Sequence, residues 1–180
     1  MKPLIKLSLI LIILVGIISF SCRRLEEFAP EPTVTYTGFQ KLLNTTDSIY
    51  DRGILQFSFT DGDGDLGLAK SDTFPPFNID GQYYYNLVVN FWEVQNGKET
   101  EVALTSYNPD TQKYDTIYLS ARIPPLTPSG TNKSISGDIY DTLFMYNYTS
   151  PYDTLFFEFF IYDKALHKSN VERTPYIVRK

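Results

Sequence analysis

The chain has 180 residues, a formal net charge of −5, one cysteine and one histidine. An acidic body excludes nucleic acid as a partner, because phosphate binding needs clustered Lys and Arg. One cysteine leaves no disulfide within a chain. One histidine leaves no His-rich zinc site and no His-Glu-x-x-His helix.

Lys2 and Lys6 precede an apolar run from Leu7 to Phe20, and Ser21-Cys22 follows. A positive region, a short apolar run and a small residue form the layout of a secretory signal peptide. The run is too short to cross a hydrocarbon core of ~30 Å, which takes ~20 apolar residues. Residues 1–21 are therefore read as a removable signal. The Ser21-Cys22 pair resembles the lipobox of bacterial lipoproteins, in the relaxed Ser-Cys form found in the Bacteroidota. That resemblance implies lipidation at Cys22, a new N-terminus there, and attachment to the outer membrane by acyl chains. Glu26 and Glu27 resemble the surface-export signal of the same group, but Arg23 and Arg24 come first, so the periplasmic and surface faces both stay open.

Cleavage would leave 180 − 21 = 159 residues and, with Lys2 and Lys6 gone, a net charge of −5 − 2 = −7. This length suits one domain with its own core. Residues 23–32 are charged and proline-broken, which predicts a flexible tether, so that 22–32 would comprise the cysteine that the resemblance marks for lipidation and its tether. Residues 33–180 are expected to form the domain.

Along that domain the hydrophobic pattern has a period of two. Thr33 to Thr37 reads as a first strand ended by Gly38, 45–51 as a loop, and 53–60 as a second strand with Leu55, Phe57 and Phe59 on one face. The connection from Asp65 to Gly81 is long enough to expect a functional or a mobile segment. Tyr83 to Gln95 alternates with large apolar groups on both faces, as a central strand does. Asn96-Gly97 is the chain's strongest hairpin signal. Strands follow over 101–107 and 114–121, with a turn at Asn108. Residues 122–133, with Pro124, Pro125 and Pro128, cannot be a central strand. Residues 135–148 and 153–162 read as strands, and 171–178 as a final strand that Pro175 places at an edge.

No amphipathic helix interrupts this series. The spacing predicts an all-β, immunoglobulin-like β-sandwich of about seven to eight antiparallel strands. In that order 53–60, 83–95, 153–162 and 172–178 take the places of strands B, C, F and G. Loops B–C and F–G then share a pole, so residues 61–67 should face Asp163, His167 and Asn170.

The chemistry sits in Asp61-Gly-Asp-Gly-Asp65. Three carboxylates at alternate positions repel one another in a strand, and glycine between them lets a loop curl them inward. Ca²⁺ takes six to eight oxygens from carboxylates, carbonyls and water. The run resembles the opening of an EF-hand loop at its first, third and fifth positions, with Asp72 at the twelfth. Leu66 stands where that family has glycine, and the flanks are strands. A calcium-loop analogue on a β scaffold is the expectation, with Asp61, Asp63 and Asp65 as ligands, the Gly67 carbonyl, and either Asp72 or Asp163. The competing reading is a solvated turn.

Catalytic patterns are poor: no Gly-x-Ser-x-Gly elbow and no phosphate-cradling Gly-Lys loop occur. A set built on His167 needs no local motif, so a hydrolase with an unrecognised site stays as an alternative. As a whole the chain resembles small Bacteroidota lipoproteins with an Asp-Gly-Asp-Gly-Asp loop, a likeness that implies no activity. The leading expectation is a non-catalytic binding or structural module in the cell envelope. An accessory glycan-binding lipoprotein, using 68–82 and 122–133, is the alternative. The fourteen tyrosines, Tyr83 to Tyr85 among them, read first as cross-strand pairs and second as a sugar- or protein-binding surface.

Overall fold

The computed structural model describes residues 28–127 and 134–179; the expected signal peptide, Cys22 and most of the expected tether lie outside the described residues. The described chain contains ten strands and no helix. β1 (Thr33–Asn44), β2 (Ile49–Asp61) and β7 (Ile135–Phe144) form one antiparallel sheet in the order β1-β2-β7. β3 (Leu87–Gln95), β4 (Lys98–Glu101), β8 (Thr154–Ile161), β9 (Glu172–Arg173) and β10 (Ile177–Val178) form the second, in the order β10-β8-β3-β4 with β9 also on β8. β5 (Leu104–Asn108) and β6 (Lys113–Ile117) make a separate hairpin. The fold is an all-β sandwich, with β2 in one sheet and β3, β8 and β10 adjacent in the other, as the places B, C, F and G of the sequence reading imply.

Alternation explains the core. Leu55, Phe57 and Phe59 of β2 point inward and meet Leu155, Phe157 and Phe159 of β8. Phe57 lies 5.0 Å from Phe159, and Phe39 of β1 stacks on Phe157 at 5.4 Å. These aromatic contacts cross between the two sheets, so they set the spacing of the sandwich.

Several boundaries differ from the sequence reading, each for a local reason. Gly38 does not end β1. The strand passes through it with a register shift between Tyr36 and Gly38, a bulge that leaves Thr37 unpaired. The loop expected over 45–51 shrinks to a turn, because β2 already pairs from Ile49 with Asn44. β3 begins at Leu87 rather than Tyr83. Just before it, the Asn86 side chain bonds both main-chain groups of Ile123, donating to its carbonyl at 3.2 Å and accepting its N–H at 2.6 Å. An amide side chain thus replaces strand pairing there. The Asn96-Gly97 hairpin forms as expected, with both residues at positive φ (52° and 78°). Pro175 does mark an edge: β9 and β10 are two halves of one interrupted strand on β8, and Thr174 bridges the break by accepting the Phe157 N–H at its hydroxyl.

Two buried charges close the pole where β8 begins. Glu93, on the core face of β3, meets Arg179 at 3.6 Å, with side-chain exposures of 0% and 3%. Asn147, Ser150 and Gln95 donate to the same carboxylate. The last described residue is thereby locked into the domain.

Candidate metal centre

The opposite pole carries the carboxylates. Asp61 ends β2, Asp63 and Asp65 follow in the loop, and Asp163 comes two residues after β8. Each offers an oxygen, and these four oxygens lie within 4.8 Å of one another. The group can hold a metal ion. Its span equals the distance across an ion with oxygen bonds of about 2.4 Å, and donors that are all oxygen suit a hard cation.

Local folding brings this about. Asp61 is fully buried, and its Oδ2 accepts the Leu66 N–H at 2.8 Å, which curls the loop back on itself. Leu66 and Leu68 then plunge into the core. The Leu68 N–H donates to Ile123 and the Leu126 N–H to Leu66, so the proline-rich segment seals the loop's second half. Gly64 takes positive φ, and its carbonyl accepts a hydrogen bond from Thr127. Leu66, the residue that breaks the EF-hand pattern, is the loop's anchor in the core.

Asp163 is held from its own turn. Its Oδ1 accepts the His167 N–H at 2.8 Å, and its Oδ2 lies 2.7 Å from His167 Nδ1. An ionised carboxylate only accepts, so Nδ1 carries the proton of that bond. Each oxygen keeps a second lone pair for a cation. The Lys164 N–H donates to Asp65 Oδ1 at 3.3 Å, tying the two loops together.

The charges are not balanced within the group. Asp61 Oδ1 and Asp63 Oδ1 are buried and have no hydrogen-bond partner among the described residues. Two ionised carboxylates side by side are both acceptors, so only a shared proton or a cation can join them. At an effective dielectric of ~20, each ionised pair within this span costs about 3 kcal/mol or more. Burial first, then a hydrogen bond shared with the Asp63 carboxyl and the charges of Asp63 and Asp65, lift the Asp61 carboxyl to about 6 against the pull of the Leu66 N–H. Burial first, then Asp163 and Asp63, raise Asp65 as well. The hydrogen bond and charge of Asp163 raise His167.

Of the expected ligands, Asp61, Asp63, Asp65 and Asp163 come together. Asp72 goes elsewhere: its carboxylate caps the Ala69 N–H at 2.9 Å and meets Lys164 Nζ at 3.0 Å. That hydrogen bond, ahead of any other cause, holds its carboxyl below the usual range. Gly67 has a visible steric role: its φ of 121° and the close passage of Pro124 and Pro125 leave no room for a side chain. His167 faces the group, as the assumed topology requires. Asn170 does not; its amide brackets both main-chain groups of Val34 at 2.9 Å and so fixes the start of β1. The chain before β1 crosses the acidic loop at Gly62, where a Cβ would strike the Phe28 and Ala29 carbonyls.

Sequence reasoning missed Arg122. Its guanidinium donates to the carbonyls of Tyr84, Asp72, Ala69 and Phe77 at 2.7, 3.0, 3.2 and 3.5 Å. One side chain thus gathers the long connection between β2 and β3. An arginine inside a proline-rich segment was the available signal. A scan against protein-family models, a search of curated proteins and a search of solved structures each found no match.

Proposed function

We propose that this chain is a lipid-anchored protein of the bacterial cell envelope, a non-catalytic binding or structural module whose acidic pole is tied by Ca²⁺. The observation that carries the metal part is the convergence of four carboxylates, two with buried oxygens that lack a donor. A divalent ion with long oxygen bonds would neutralise that charge and take water or carbonyls for its remaining positions. The carboxylates join the end of β2 to the end of β8, which is the task of a staple. Asp163 spends its bonds on fixing the 163–167 turn, and His167 on fixing Asp163. Those are holding roles rather than proton-moving ones. The anchoring part rests on the sequence alone: the signal layout, the relaxed lipobox ending at Cys22, and the likeness to Bacteroidota lipoproteins.

Two measurements test the two parts separately. Calorimetric titration with Ca²⁺ should give heat and raise the melting temperature; the absence of both would remove the metal reading. Metabolic labelling with an alkyne fatty acid should mark the wild type and not Cys22→Ser. An intact mass that retains residues 1–21 would remove the anchor.

A further inference from the structure

We infer that the concavity lined by Tyr84, Tyr85, Tyr118, Ile79, Asp80 and Gly81 binds a neutral carbohydrate. Its volume is about 450 Å³, within the ~300–1,000 Å³ of small-molecule sites. None of its residues belongs to the carboxylate group, so the site stands independently of the cation.

The first reason is where the rings are. The sequence pattern assigned Tyr83 to Tyr85 to a strand, where cross-strand pairing would account for them. They lie instead on irregular chain before β3, and Tyr118 lies just after β6. Tyr118 and Ile79 are each 72% exposed, so packing of the core does not explain them. Tyr85 and Tyr118 are nearly parallel, 25° apart in plane and 6.3 Å between centroids, and Tyr84 stands edge-on to Tyr85 at 4.8 Å. The rings form one stepped aromatic wall. A pyranose has C–H faces that pack on such rings and a rim of hydroxyls, and tyrosine offers both the apolar face and the hydroxyl partner.

The second reason is rigidity. The four carbonyl bonds of Arg122 hold the loop at Ala69, Asp72, Phe77 and Tyr84, and its guanidinium lies 4.9 Å from the Tyr84 ring. A wall held this way loses little freedom when a ligand settles on it.

The third reason is charge. Asp80 is the one charged residue in the lining. A phosphate or a uronic acid would meet that carboxylate with like charge. A neutral sugar instead supplies hydroxyl donors that a carboxylate accepts. A proline-rich peptide would also pack on tyrosines, but its prolines have no N–H and offer Asp80 only carbonyl acceptors.

The test is native affinity electrophoresis of the full chain in gels containing laminarin, xylan, galactomannan or starch, with polygalacturonate and a proline-rich peptide as comparisons. At least one neutral polysaccharide should retard the protein, and polygalacturonate should not. Tyr118→Ala and Tyr85→Ala should each weaken that retardation about tenfold. Tyr118→Ala should keep the wild-type melting temperature and Ca²⁺ heat, which separates loss of the sugar site from loss of the metal or the fold. The inference is overturned if no neutral polysaccharide retards the protein, or if retardation is unchanged in both variants. Preferential binding of polygalacturonate or the peptide overturns it too.

Discussion

Asp61→Asn separates what the buried carboxylate costs the free protein from what it gives to a bound ion. Asparagine keeps the shape and the oxygen that accepts the Leu66 N–H. It removes one negative charge from the group, and its new N–H₂ can donate to Asp63, whose Oδ1 is buried without a donor. The Asp61 carboxyl is raised from 3.8 to about 6, so at pH 7.5 keeping it ionised costs up to roughly 3 kcal/mol, at about 1.4 kcal/mol per tenfold. For a chain of this size 1 kcal/mol moves the melting temperature by ~2–4 °C. In EDTA the variant should therefore melt higher than the wild type, by at least ~2 °C and by as much as ~10 °C. With Ca²⁺ at a hundredfold excess over its dissociation constant, the wild type should gain about 2.7 kcal/mol. The variant, short of its most buried ligand, should gain almost nothing. Differential scanning calorimetry in EDTA and in CaCl₂ reads both effects. The reasoning is refuted if Asp61→Asn melts below the wild type in EDTA, or if Ca²⁺ stabilises both equally.

The same carboxyl sets a pH dependence. It holds its proton better folded than unfolded, so its stabilising contribution is full below pH 3.8 and gone above about 6. In EDTA, urea midpoints of the wild type should fall relative to Asp61→Asn across that window; with Ca²⁺, binding should strengthen through it instead. Arg179→Ala leaves Glu93 buried without its cation, and should cost about 3–5 kcal/mol, seen as a large drop in urea midpoint. Replacing both partners by leucine should recover most of the loss. Asp141 points inward from the edge strand β7 with a buried Oδ2 that has no hydrogen-bond partner among the described residues, and burial raises its carboxyl. An inward charge on an edge strand guards against edge-to-edge pairing. Asp141→Leu should stabilise the domain by about 1 kcal/mol or more at pH 7.5 and less at pH 4. Light scattering should detect self-association through β7.

The sandwich was legible because its inner faces repeat at period two, and the acidic loop because a strand cannot carry aspartate at alternate positions beside glycine. Asp163 was found through topology: once β2 and β8 take the places of B and F, their trailing loops meet. What escaped depends on single side chains reaching across the chain. Nothing local told Asp72 that Lys164 would claim it, or Asn86 that it would stand in for a strand partner of Ile123. The Glu93–Arg179 pair spans 86 residues (179 − 93), and a glutamate on a strand's apolar face looks like noise until its partner is seen. Tyr83 to Tyr85 deceived for the opposite reason, since their alternation continues that of β3 although their backbone does not.

The passage of Phe28 and Ala29 over Gly62 places the start of the described chain at the carboxylate pole. Phe28 stands six positions after Cys22, a reach of at most ~22 Å when fully extended. With Cys22 acylated as proposed, the carboxylate pole would hang beside the lipid headgroups and the Glu93–Arg179 pole would look outward. Negatively charged lipids there would draw divalent ions toward the bilayer, so the protein would sample a richer supply of them than the bulk solution provides.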